Sequence, residues 1–166
     1  MKIIWHNGEV PPHLKTKQVY GLVFTNDGRM LVRIEEKKGK KVFTLAGGTP
    51  ETFDENRIAT LRREMIEEVN TTLKSKVVMV GYQEIDEENG KPPYAQVRMT
   101  ALIDKIGPVQ PDPDNGETYE RMLTTPERAI ELINWGEVGK NQIEEAVRIA
   151  KKEFDITWGN EQEEYV

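Results

Sequence analysis

Apolar and polar positions follow two periods along this chain. Gln18 to Thr25 is rich in β-branched and aromatic residues, stops at Asn26-Asp27-Gly28 and resumes from Arg29 to Glu35, which predicts a hairpin with a short glycine-containing loop. A Lys-Gly-Lys turn at 38–40 leads to a third short strand, Val42 to Leu45, and Gly47-Gly48-Thr49-Pro50 ends it. From Asp54 to Val69 the period becomes helical, with Thr52 and Glu55 at the spacing of a capping box. Lys76 to Glu84 and Pro93 to Ile106 read as strands joined through Glu87-Glu88-Asn89-Gly90. Gly107 to Gly116, with its prolines and aspartates, reads as a surface loop. Pro126 to Ile133 suits a short helix with proline in its first turn. Asn141 to Phe154 suits a longer one, with Ile143, Val147, Ala150 and Phe154 at helical spacing. The tail from Asn160 reads as loose. Strands, helix, strands, then helices predict an α/β fold with a mixed β-sheet and helices on its faces.

The helix from residue 54 carries two stripes. At ~100° per residue, Ile58, Leu61, Met65 and Val69 fall within ~80° and form the core stripe. Glu64, Glu67 and Glu68 share a second arc of ~100° beside it. Like charges at these spacings are unfavourable by ~0.2 to 0.5 kcal/mol per pair, so something positive must stand against them. Arg62 and Arg63 are near enough to neutralise part of the charge, as on a solvated helix face. A hard divalent cation is the alternative, because Mg²⁺ binds through a few carboxylates together with water and substrate phosphates.

Composition narrows the choice. The 166 residues suit one domain, and a net charge of −6 argues against a general nucleic-acid binder. With no cysteine and two histidines, neither disulfides nor a zinc staple can hold the fold. No apolar run approaches the ~18 residues of a membrane span, and Ile3-Ile4-Trp5 is too short for a secretory leader. The expectation is a soluble protein in a reducing, cytoplasmic setting.

Glu55, seven residues, then Arg63-Glu64-Met65-Ile66-Glu67-Glu68-Val69 resembles the signature of the Nudix hydrolases: Gly, five residues, Glu, seven residues, Arg-Glu-U-x-Glu-Glu-x-Gly-U, with U apolar. The match departs in three places. Six residues separate Gly48 from Glu55, Asn70 stands for the final Gly, and Thr71 stands in the last apolar position. Asn is the other residue that readily takes the left-handed conformation ending a helix. The resemblance implies a Nudix-type α/β/α sandwich over residues 17–154, preceded by a segment 1–16 and followed by an acidic tail 155–166. It implies that Glu64, Glu67 and Glu68 ligate Mg²⁺ or Mn²⁺, with the Gly47 carbonyl as a further ligand, and that Arg63 and Glu55 pair to hold the loop against the helix. The implied reaction is hydrolysis of a nucleotide-type diphosphate by metal-activated water attacking phosphorus, with Glu67 or Glu68 as ligand and base.

Tyr94, Gln96 and Arg98 lie on one face of a strand, and if that face lines the cleft, Arg98 can meet phosphate and Tyr94 a base or sugar. Arg57 stands one turn back on the carboxylate side, placed to touch phosphate or pair with a neighbour. Glu84, Asp86, Glu117 and Glu120 read as solvated acids, Asp112 and Asp114 as part of a turn, and Trp5, Trp135 and Trp158 as packing residues. His6 and His13 receive no role. The rival reading is a non-catalytic domain of the same fold that holds a nucleotide without turning it over. Strand edges leave room for a homodimer.

Overall fold

The computed structural model describes residues 1–166. In chain order the elements are β1 (Lys2–Asn7), β2 (Lys15–Phe24), β3 (Met30–Lys37), β4 (Lys40–Thr44), β5 (Gly47–Gly48), α1 (Arg57–Val69), β6 (Thr71–Asp86), β7 (Tyr94–Ile106), β8 (Glu120–Thr124), α2 (Pro126–Ile133), α3 (Gly136–Glu153) and β9 (Glu164–Tyr165). One sheet runs β1-β6-β7-β2-β3-β8-β9, with β4 on β3 and β5 on β2. The β2–β7 pair is parallel, as a mixed sheet requires, and the remaining pairs are antiparallel.

Strand alternation divides the interior into two cores. Val19 and Val23 of β2, with Val97, Met99 and Ala101 of β7, pack under Leu61, Met65 and Val69 of α1. Leu22 and Phe24 point the other way and pack with Ala129 and Ile133 of α2 and Ile143, Ala146 and Ala150 of α3. Each fully buried aliphatic side chain contributes roughly 1.5 to 3 kcal/mol, so both helical layers are held mainly by these faces. No helix is long and apolar enough to cross a membrane.

The sequence expectations hold for α2 and for the succession of strands, helix, strands and helices; the hairpin, the starts of two helices, the tail and two unexpected strands, β1 and β8, differ. The hairpin closes at Thr25–Arg29, but only Phe24 and Met30 are paired across it; β3 then turns to β8 and β4, and β5 takes its place beside Val19 and Tyr20. Helix α1 starts at Arg57, and its cap is Asn56, whose side chain accepts from the Ala59 N–H at 2.9 Å, rather than Thr52 and Glu55. Helix α3 starts five residues before Asn141, where Gly139 lies so close to Trp135 that an added Cβ would stand 2.7 Å from the Trp135 Cβ.

The tail is the fourth change, being fixed rather than loose. Tyr165 and Glu164 pair with Met122 and Leu123 of β8, and Arg121 donates to the Val166 carbonyl from both Nε and Nη2. Trp158 meets Phe24 edge to face, and Arg29 binds Glu164 at 2.7 Å. At the other end, β1 pairs in register with β6 from Lys2–Asp86 to Asn7–Gly81. Segments 1–16 and 155–166 thus both contribute strands to the same sheet.

Candidate active site

The acidic stripe of α1 faces the turn made by β5. Glu64 and Glu68 are buried at 8% and 7% exposure, while Glu67 is half-buried. The Gly47 N–H donates to Glu68 Oε1 at 2.7 Å, and Arg33 of β3 donates to Glu68 Oε2. The two glycines are dictated by this approach. Gly47 has φ of 156°, and a Cβ there would lie 2.2 Å from the Val19 carbonyl; one on Gly48 would lie 2.5 Å from the Glu64 carboxylate. The Asn70 cap adopts φ 45° and ψ 47°, the left-handed conformation that an Asn tolerates, and its N–H donates to the Ile66 carbonyl at 3.0 Å.

Arg63 organises the entry to the helix, with a different partner from the one expected. Its fork closes on Asp54, Nε to Oδ1 at 3.1 Å and Nη2 to Oδ2 at 2.9 Å, and Nη2 also donates to the Thr49 carbonyl. Nη1 reaches Glu64 at 3.0 Å and Glu67 at 3.1 Å. Glu55 is exposed and makes no ion pair. The reason lies in the turn that ends at the cap. Asp54 is tied back by the Glu51 N–H and the Thr60 hydroxyl, which turns its carboxylate towards Arg63. Counted to Asp54, residues 49 to 53 restore the five-residue gap after Gly48, and the extra residue falls inside the helix entry instead.

Charge in this cluster is held out of water. Burial pushes Glu68 up to about 7 against the opposing pull of Arg33 and the Gly47 N–H. Burial also raises Glu64 and Glu67, each opposed by Arg63. A loop adds further acid. The Asp112-Pro113-Asp114 segment forms the expected turn, Asp112 accepting from the Asp114 N–H at 2.8 Å, and that turn brings carboxylate oxygens of Asp112 and Asp114 within 4.8 Å of one another and of Glu67. An all-oxygen donor set of this kind suits a hard divalent cation such as Mg²⁺ or Mn²⁺. Asp54 and Arg33 were not singled out as site residues from sequence, and Asp112 and Asp114 were read there as part of a turn only.

The residues of β7 divide between two depressions. Gln96 and Arg98 line a cavity of about 400 Å³ on the α3 face, together with Tyr20, Gln83, Trp135 and Ile3. Arg98 is 2% exposed, and its guanidinium lies 4.7 Å from the Tyr20 ring and 5.6 Å from that of Trp135. Burial pulls its pKa down to about 10, which leaves it charged at neutral pH. Trp135 therefore combines packing with a place in the cavity wall. Tyr94 lies instead in a neighbouring groove with Lys15, Lys17, Thr49 and Pro50, its hydroxyl donating to Glu87 at 3.1 Å. Arg57 is engaged away from the glutamate stripe, by Thr16 at 3.1 Å and Glu9 at 3.7 Å, so it anchors the start of β2 and the segment before it.

The sequence matches no protein-family model and no curated protein. The fold does find counterparts among solved structures. A NUDIX hydrolase from Nitrosomonas europaea superposes with a TM-score of 0.59 at 16% identity, covering 84% of this chain and 93% of that one. A Listeria monocytogenes protein described as a NUDIX hydrolase gives 0.58 at 21% identity, covering 83% and 96%. The Ap4A hydrolase of C. elegans gives 0.52 at 15% identity, covering 82% and 98%. The residues that carry the motif lie on the helix and turn where the chain's own topology places them, and the fold of this chain is that of the Nudix hydrolases.

Proposed function

We propose that this chain is a divalent-metal-dependent pyrophosphohydrolase acting on a nucleoside diphosphate linked to another group. The observation that carries the reading is the meeting of Glu64 and Glu68 with the Gly47–Gly48 turn, where glycine is the only residue that fits, with Glu67 beside them against Asp112 and Asp114. Glu64, Glu67 and Glu68 would hold Mg²⁺ or Mn²⁺, with the Gly47 carbonyl and the nearby Asp112 and Asp114 as further oxygen donors. Bound there, the ion supplies Lewis acidity to phosphate oxygens and acidifies a water for attack at phosphorus.

The chain's own groups do the rest. Arg63, fixed by Asp54, holds the loop and shares charge with Glu64 and Glu67. Glu67 or Glu68 accepts the proton of the attacking water. The cavity of Tyr20, Gln96 and Arg98 receives the organic end of the substrate, and Lys15 and Lys17 offer positive charge beside the 47–50 turn for the other. An acidic protein thereby presents local cations to an anionic guest.

One observation favours the rival reading of a nucleotide-binding domain without turnover: Arg33 and Arg63 already engage oxygens of all three glutamates. The deciding experiment is a panel of nucleoside-diphosphate compounds incubated with Mg²⁺ in ¹⁸O-labelled water. Labelled monophosphate product supports hydrolysis at phosphorus; nucleotide binding with no product supports the rival.

A further inference from the structure

The cavity on the α3 face contains a cation without a counter-ion. Arg98 makes one hydrogen bond to the protein, from Nε to Gln142 Oε1 at 2.8 Å, and no carboxylate bears on it. Four buried side-chain polar atoms lack any hydrogen-bond partner, and one of them, Arg98 Nη1, belongs to a residue that lines the cavity; two more belong to Gln142, which accepts from Arg98 Nε, and to Thr100, two positions along β7. Buried donors are nearly always satisfied in folded proteins, because leaving one unpaired forfeits its hydration without return, and a charge loses more. An unpaired guanidinium on a residue that lines a cavity points to a ligand that supplies the acceptor.

The chemistry of that ligand follows from what the cavity offers. Arg98 only donates, so it must face acceptors. Tyr20 and Trp135 give the cavity aromatic surface, which suits a flat ring. Beside Arg98 on the sheet, Gln96 spends an amide N–H on Gln18, which leaves its carbonyl oxygen as an acceptor, and the Gln83 side chain has no protein partner. Guanine presents two adjacent acceptors, O6 and N7, matched to an arginine fork, and carries an amino donor elsewhere on the ring. Adenine places an amino donor where guanine has O6, and so sets donor against donor. We propose that this cavity selects a keto-edged nucleobase, guanine above adenine, and that Arg98 is the residue that reads it. The inference rests on the chain taking a nucleotide substrate, and it names the base.

The test uses guanosine and adenosine 5′-monophosphates as probes, without divalent metal, so that binding is read apart from hydrolysis. Isothermal titration on the full chain is expected to give at least a ~10-fold tighter Kd for GMP than for AMP, the discrimination of one bidentate arginine contact. R98M is expected to bring GMP down to the AMP value, and R98K, which keeps the charge and loses the fork, to recover only part of the gap. Equal binding of the two nucleotides, tighter AMP, or an unchanged GMP affinity in folded R98M would overturn the proposal. If R98M does not fold, the wild-type ratio decides. Turnover of GDP-linked and ADP-linked compounds with Mg²⁺ is measured separately. Preference for GMP with no turnover of either removes the hydrolase reading and keeps the base assignment; equal turnover of both with no preference in binding does the reverse.

Discussion

The two faces of one sheet treat buried charge in opposite ways. Below α1, each glutamate of the stripe has a donor against it: Glu68 has Arg33 and the Gly47 N–H, and Glu64 and Glu67 share Arg63. Below α3, Arg98 has no carboxylate, and Gln142 and Thr100 beside it also carry unpartnered atoms. On the first face every glutamate is partnered within the protein, and on the proposed function those partners would be exchanged for a cation; on the second, the proposed ligand completes what the protein leaves open. Charge-balanced networks stabilise the fold and tune chemistry, whereas an unbalanced one lowers stability in return for recognition.

That contrast can be broken most severely at Arg63. Replacing it with alanine leaves Asp54, Glu64 and Glu67 without their shared partner, at an expected cost of about 3 to 5 kcal/mol, the range for removing one side of a buried pair. Urea unfolding measures it. Glu68→Gln, which keeps the shape but removes the charge facing Arg33, is expected to lower turnover at least ~100-fold in a protein that still folds, as steady-state assays with Mg²⁺ and circular dichroism would show. Gly48→Ala should cost about 1 to 3 kcal/mol and reduce activity together, because the new methyl meets the Glu64 carboxylate. A crystal structure of the variant would show the displaced carboxylate.

The balanced face also has a pH signature. The two hydrogen bonds from Arg63 hold Asp54 well below the usual carboxylate range. A depressed folded-state value gives stability that is present above the unfolded value near ~4 and is lost as pH falls through the folded one. Asp54→Asn should therefore be least stable relative to wild type at neutral pH, with the gap narrowing below about pH 4; a gap that widens in acid would contradict the pairing. The smallest effect is expected at Asn70. Its replacement by alanine should cost about 1 kcal/mol at φ 45°, while glycine should be nearly neutral there, as thermal unfolding would register.

What was legible in the sequence depended on how local its cause was. The glutamate stripe could be read because helical period alone places Glu64, Glu67 and Glu68 together, and the Asn70 cap because so few residues take its backbone conformation. Helix α2 announced itself through Pro126 in its first turn, and the structure adds a side-chain cap at Thr125. The partner of Arg63 could not be read by counting letters, since the turn that fixes Asp54, closed by the Glu51 N–H and the Thr60 hydroxyl, decides which of two neighbouring acids faces the guanidinium. Strands β1 and β9 were missed because their pairing is with residues about 80 and 40 positions away, respectively, and leaves no local period. Asp112 and Asp114 likewise lie far along the chain from Glu67, and only the folded loop brings them together.

Cation binding by the α1 glutamates is tested most directly by titrating Mn²⁺ into the protein and following the free-ion signal by electron paramagnetic resonance. Wild type should deplete the free ion, and a Glu64→Gln, Glu67→Gln, Glu68→Gln triple variant that remains folded should deplete far less. Identical titrations for the two proteins would show that these carboxylates hold arginines and nothing more.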